Sequence, residues 1–267
     1  MDFLTDTWKS TIGRVAFLNC DPLFHDLANK WKVLSAPPAW LTGHVLRKDC
    51  VLAPIPAADY AKHAEELVLL PDIGIGSQGE VGSVLLFGAL PLDLMKTVAL
   101  PTDSATSVAL LKYLIAQSGR DMEYFTTGPD YESMLARADG CLLIGDRALE
   151  AAKEFPEMVQ LDLGQAWLEL FGLPMIFGVF VARKDTPLDV VKEAHEALLS
   201  GLVEFEQSDE KRESVIQWAM GRSDLSHERL DQYFGEVFNR LDSHHMDGLH
   251  RFLSEACGLP EPLEFAW

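Results

Sequence analysis

Residues 81 to 100 read VGSVLLFGALPLDLMKTVAL. The first ten have the apolar run of a buried strand, Pro91 interrupts it, and from Lys96 a fresh apolar run begins, KTVALP. What stands on either side of this break decides the architecture. Upstream, GRVAFLN (13–19) is a strand ending in an asparagine, and CDPLFHDLANKW follows with Pro22 placed to open a helix. WKVLSAPP then gives a strand running into a proline pair, AWLTGHVLRKD a helix, and CVLAPIPAADYAKHAEE a strand, a proline-punctuated turn and another helix. This β-α rhythm favours a parallel sheet covered by helices.

Downstream of the break the pattern starts again. It predicts strands over 97–100, 123–126, 140–145 and 158–163, alternating with helices over 105–117, 130–137, 147–153 and 165–171. A second long apolar strand, PMIFGVFVAR, closes the series. From Pro187 the chain reads as almost wholly helical, with LDVVKEAHEALLSGLVEFEQ as its clearest amphipathic segment.

The expected fold is therefore α/β and two-lobed, each lobe a mainly parallel sheet flanked by helices, with a C-terminal helical segment. Lobe 1 is expected over 1–95 and 179–267 and an inserted lobe 2 over 96–178, joined by extended segments near 91–96 and 176–182. This is a hinge-bending binding-protein architecture. Open α/β sheets bind ligands beyond the carboxyl ends of their strands, so two facing lobes would hold a ligand in the cleft between them.

Composition narrows the partners. With 41 acids against 22 bases the formal charge is −19, so nucleic-acid phosphates would be repelled. No segment approaches the roughly 20 apolar residues of a membrane span, and membrane binding is not expected. The start, MDFLTDTWKSTIGRVAF, has early acids and no basic, then apolar, leader pattern, so a cytoplasmic protein is expected. Cys20, Cys50, Cys141 and Cys257 lack metal or redox spacing and read as buried free thiols.

Polar residues just after each strand are the candidates for the cleft: Asn19, Thr102 to Ser107, Gly145, Asp146 and Asp162 to Gly164, with Pro54 and Pro56 beside them, and to these is added Ser83 at the start of the crossing strand, which suits an ordinary small strand residue as well. The densest group is LPTDSATSVALLKYL (100–114). Ser104 or Asp103 suits an N-cap, which accounts for one hydroxyl. The surplus, with the free amides and positive dipole end of a helix start, makes a seat for a carboxylate or phosphate without a cation. Asn19 suits a cap or a ligand contact, and Asp146 suits a cap for the helix that follows it. Gly74, Gly76, Gly79 and Gly82 read as a flexible segment where backbone approaches a ligand; no helix follows, so it is no dinucleotide fingerprint. His244, His245 and His250 do not share a helix face, and no metal site is expected.

Taken in order, GRVAFLNCDPL, DIGIGSQGEVGSVLLF, SATSVALLKYL, CLLIGDRAL and LDLGQAWLELFGLPMIFGVFVAR resemble the successive signatures of the chorismate dehydratases of the futalosine route to menaquinone, over about residues 12 to 183. The resemblance implies the type 2 periplasmic-binding-protein fold used as a cytoplasmic enzyme. It also implies loss of water from chorismate to give 3-[(1-carboxyvinyl)oxy]benzoate, a carbon-oxygen lyase reaction with chorismate as partner and no cofactor. A monomer or homodimer is expected.

In the site, the resemblance implies Asn19 and Ser83 as catalytic residues. Ser104, Ala105, Thr106, Ser107, Gly145 and Asp146 are then expected around the substrate, with the general base either the substrate's own carboxylate or Asp146. The chain departs from the family at Phe171, where a threonine is common, and at Gln78-Gly79-Glu80, where an acidic-glycine-proline run is common. The alternative expectation is a non-catalytic cytoplasmic binding or sensing protein for a small aromatic or carboxylate ligand. The later menaquinone enzyme that makes 1,4-dihydroxy-6-naphthoate fits less well, because its CPND-like start is replaced by FLNCDPL.

Overall fold

A computed structural model describes residues 7–27, 30–259 and 262–267. The first β-α series gives β1 (Thr11–Val15), α1 (Asp21–Phe24), β2 (Lys32–Ala36), α2 (Pro38–Leu46), β3 (Leu52–Pro56), α3 (Ala57–His63) and β4 (Leu67–Ser77). The second gives β5 (Val84–Gly88), β6 (Thr97–Pro101), α4 (Ala105–Gln117), β7 (Glu123–Thr127), α5 (Tyr131–Leu135), β8 (Gly140–Ile144), α6 (Asp146–Glu154), β9 (Val159–Asp162) and α7 (Leu163–Phe171). The chain ends with β10 (Met175–Arg183), α8 (Leu188–Gln207), α9 (Asp209–Met220), α10 (His227–Glu236), β11 (Val237–Arg240) and α11 (Ser243–Cys257).

These strands form three sheets: β1-β2, β11-β4-β10-β3 and β7-β6-β8-β5-β9. β1 and β2 pair in parallel, as do β6 with β7 and β6 with β8. Three strands run against the rhythm: β5 and β10, which enter and leave the inserted lobe, and β11, which is antiparallel to β4. β5 is antiparallel to β8 and β9, and β10 to β3 and β4.

Sheet membership puts the lobe division elsewhere than at 95/96 and 178/179. β5, whose five residues are all buried, hydrogen-bonds within the inserted lobe, and β10 joins the other lobe from Met175, opposite Ser77. We therefore draw the links at residues 78–83 and 172–174. A crossing strand belongs with the sheet that satisfies its amides and carbonyls, which a hydropathy profile does not reveal.

The glycine segment read as flexible is half of a core strand. Gly74 and Gly76 lie in β4, between β11 and β10, and a Cβ at Gly76 would come within 2.6 Å of the Phe238 ring and 2.7 Å of the Met175 carbonyl oxygen. Glycine is needed there for close approach of neighbours, not for mobility. β11 interrupts the stretch read as helical; at four residues it is too short to show a period. Pro54 and Pro56 are tolerated in β3 because it is an edge strand of its sheet.

One apolar core runs through both lobes, from Ile12 and Leu41 through Leu110 and Leu142 to Phe252. A smaller cluster of Leu85, Phe87, Cys141 and Leu143 fills the other face of the five-stranded sheet. Cys20, Cys50 and Cys141 are buried free thiols, pushed up to about 12 by desolvation, and Cys257 is partly buried. Among the described residues no helix is long and apolar enough to cross a membrane.

Candidate active site

β1 stops at Val15, where the Ala16 amide donates to the Ala36 carbonyl at 3.0 Å, and the chain turns into a short 3-10 helix, Leu18–Cys20. That turn, rather than a strand end, carries Asn19 into a cleft between the lobes. The same cleft is lined by Ser83, Ser104, Thr106, Ser107 and Gly145 from the inserted-lobe side, and by Phe17, Pro38, Pro54, Ile55, Phe177 and Val237 among others. No charged side chain lines it among the described residues.

Asn19 Oδ1 is buried and has no hydrogen-bond partner among the described residues, so that oxygen is not spent on capping. A buried amide oxygen with no donor is costly unless something else supplies one.

At the start of α4, Ser104 is the N-cap and its Oγ accepts from the Ser107 amide at 3.3 Å. Thr106 Oγ1 accepts the Ala58 amide, the second residue of α3, at 3.1 Å, which ties the lobes together and leaves its proton to donate. The Ala105 and Thr106 amides take no backbone or side-chain acceptor among the described residues. Ala105 itself lines a separate groove behind α4, beside Lys62 and Lys112, and is not among the residues that line the cleft.

Gly145 stands at φ +61° and a Cβ there would meet the Phe17 ring at 2.6 Å, so both conformation and space demand glycine. Its amide donates to the Ser83 carbonyl at 2.7 Å, which sets Ser83 opposite it. Ser83 is further fixed by Asp162, whose carboxylate accepts from the amides of Val81 (3.0 Å) and Gly82 (2.8 Å) while also capping α7 through Gly164 and Gln165. On the far side, Ser83 Oγ meets the Tyr233 hydroxyl at 3.1 Å.

Asp146 does not line the cleft. Nor does it cap its own helix, whose N-cap is Gly145 with no side-chain bond. Its Oδ1 accepts the Leu18 amide at 3.0 Å, holding the turn that bears Asn19. Burial pushes its pKa up to about 6, against the pull of that amide.

The nearby charges are turned away into pairs. Arg147 is bound to the buried Asp103, and Arg14 and Arg222 both grip Asp21, which is shielded from solvent. The two departures also lie outside the cleft. Phe171 packs on Trp167 at 4.4 Å between centroids, and Gln78 to Glu80 form the turn before Val81. His245 is spent in the capping box of α11. No group of three or more His, Cys, Asp or Glu among the described residues is arranged to hold a metal ion.

The cleft thus offers hydroxyls, a carboxamide and the start of a helix inside apolar walls, a donor set suited to a small anionic group. The apolar wall was invisible in the sequence, because a strand residue facing a cleft and one facing a core are the same residue types. Tyr233 gave no signal either, as one aromatic in an amphipathic helix.

A family model described as menaquinone biosynthesis matches residues 10–257. A chorismate dehydratase of Thermus thermophilus is 33% identical over 278 residues, covering 93% of this chain and 95% of the relative. Among solved structures, a protein of Archaeoglobus fulgidus superposes with a TM-score of 0.73 at 20% identity, over 94% of this chain and 98% of its own. A Candida albicans gene product described as having the generic periplasmic binding protein fold gives 0.67 at 14%, over 94% and 91%. The alkanesulfonate-binding protein of Xanthomonas axonopodis gives 0.62 at 15%, over 96% of both chains. The architecture is that of the periplasmic binding proteins.

Proposed function

The chain belongs to the menaquinone-biosynthesis family, and we propose that it is a cytoplasmic chorismate dehydratase, eliminating water from chorismate to give 3-[(1-carboxyvinyl)oxy]benzoate. The observation that carries this reading is the convergence of Asn19, Ser83 and the Ser104-Thr106-Ser107 hydroxyls in one cleft that no charged side chain lines among the described residues.

The substrate's own chemistry assigns the roles. Loss of the ring proton on the carbon bearing the enolpyruvyl ether leaves a carbanion conjugated through the diene to the ring carboxylate. Departure of the neighbouring hydroxyl then makes the ring aromatic, and proton and hydroxide leave together as water. Donors on the ring carboxylate stabilise the charge that develops, which lowers the barrier rather than merely tightening binding. The α4 start, with its hydroxyls and the Ala105 and Thr106 amides, takes that carboxylate. Asn19 orients the ring, and Ser83 donates to the leaving hydroxyl.

Among the described residues no carboxylate side chain lines the cleft, and Asp146 holds Leu18 behind it. The base in this reading is therefore the substrate's enolpyruvyl carboxylate, which no lysine or arginine of the cleft wall pairs and so leaves basic. Elimination driven by aromatisation calls for no redox partner in this scheme.

Incubation with chorismate, followed by chromatography for the aromatic enolpyruvyl ether, tests the proposal. Stoichiometric binding of chorismate that is recovered unchanged would reject it and favour a binding or sensing protein.

A further inference from the structure

Tyr233 is fully buried on α10, far in sequence from the cleft, and among the described residues its hydroxyl has one polar partner, Ser83 Oγ. A buried phenol proton left without an acceptor is costly. With Ser83 the acceptor within reach, the phenol donates to it. Burial, and after it the field of Asp146, hold the Tyr233 pKa above its ordinary value, so the group remains a neutral donor at working pH.

A serine hydroxyl carries one proton and two lone pairs. Once Ser83 accepts from Tyr233, its own proton is the one that faces the cleft, and a hydroxyl that accepts a hydrogen bond becomes a stronger donor. The ring of Tyr233 is held in place by packing on Phe234 and by the Arg229 guanidinium, itself paired to Glu236 at 2.9 Å.

We infer that Tyr233 is a positioning residue: through a relay from its hydroxyl to Ser83 Oγ it commits Ser83 to donate, so that the substrate group above Ser83 must be an acceptor that gains negative charge. This rests on the dehydratase reading, in which that group is the departing hydroxyl.

The test is a double-mutant cycle of Tyr233→Phe, which keeps the ring, with Ser83→Ala. Tyr233→Phe should lower kcat about tenfold with KM within about twofold, the size of one hydrogen bond, and should cost nothing further in the Ser83→Ala background. A purely structural tyrosine would show a loss of similar size in both backgrounds. Full kcat in Tyr233→Phe, or independent losses in the double variant, overturns the inference and leaves the dehydratase reading intact. If the wild type binds chorismate without converting it, that reading fails alone, and the same cycle is read in chorismate dissociation constants: coupled losses support the relay and additive losses reject it. A wild type that neither binds nor converts chorismate overturns both.

Discussion

The carboxylate of Asp146, at the start of α6 in the inserted lobe, accepts the backbone amide of Leu18, in the turn that carries Asn19 in the other lobe, at 3.0 Å. A side chain that borders the cleft in sequence thus works across it, as a tether between the lobes.

Asparagine keeps an oxygen for that amide. Asp146→Asn should therefore retain kcat within about threefold, whereas Asp146→Ala, which releases the turn, should lose about tenfold or more. A loss of several orders of magnitude in the asparagine variant would identify Asp146 as the general base and reject the substrate-carboxylate scheme.

The same group shapes the pH dependence of stability. Its carboxyl binds a proton more tightly in the folded chain, at about 6, than unfolded, near 3.8. Between those values the folded state holds more protons, so this contribution to stability falls as pH rises through the window and is level above it. The Tm of Asp146→Asn minus that of wild type should be more positive at pH 8 than at about pH 4. A difference that is constant with pH would show that the carboxyl is not perturbed by burial.

Ser83→Ala and Asn19→Ala should each lower kcat/KM by about 10²–10³, as removal of a donor to developing charge does; the Asn19 variant should melt no lower than wild type, and the Ser83 variant a few degrees lower because it strands the buried Tyr233 phenol. Full turnover in both variants would move the chemistry out of this cleft.

Thr106→Val keeps the shape of the side chain but leaves the Ala58 amide, buried where α3 meets α4, without its acceptor. The expected cost is about 1–3 kcal/mol, seen as a Tm lowered by several degrees, while Thr106→Ser stays near wild type. An unchanged Tm in the valine variant would mean that the lobes are not joined there.

Gly145→Ala forces a side chain into a left-handed φ and against Phe17. Strain of about 1–3 kcal/mol is expected, together with weakened binding of chorismate, because Phe17 is part of the cleft wall. Calorimetry and thermal melting would both register it; a neutral variant would count against the rigidity of the Phe17–Gly145 contact.

Much of this was legible in the sequence where local rules act alone. α4 runs from Ala105 to Gln117 as its cap and period predict, and the strand-end reading named eight residues that share the cleft: Asn19, Pro54, Pro56, Ser83, Ser104, Thr106, Ser107 and Gly145. The rule stumbled where a residue answers to a distant partner. Asp146 has a good capping position, but its Oδ1 accepts the amide of Leu18, 128 positions away. Gly76 looked like a loop glycine because its real constraint, Phe238, is 162 positions away in the sequence. Tyr233 meets Ser83 across a separation of 150 residues, and no local pattern encodes that meeting.

The helix α7 bears on how the protein can be taken apart. Its Asp162 cap grips the incoming link at Val81 and Gly82, and its Trp167 Nε1 donates to Pro174 in the outgoing one at 3.2 Å. Both links are thus splinted to one helix, over a core that runs without a break beneath them. The inserted lobe is continuous in sequence yet not a detachable cassette: expressed alone it would bare the apolar surface it shares with Ile12 and Phe252, and the remainder would lose the splint that aligns β4 with β10. Shuffling by whole lobes between relatives would have to carry this helix and both links together.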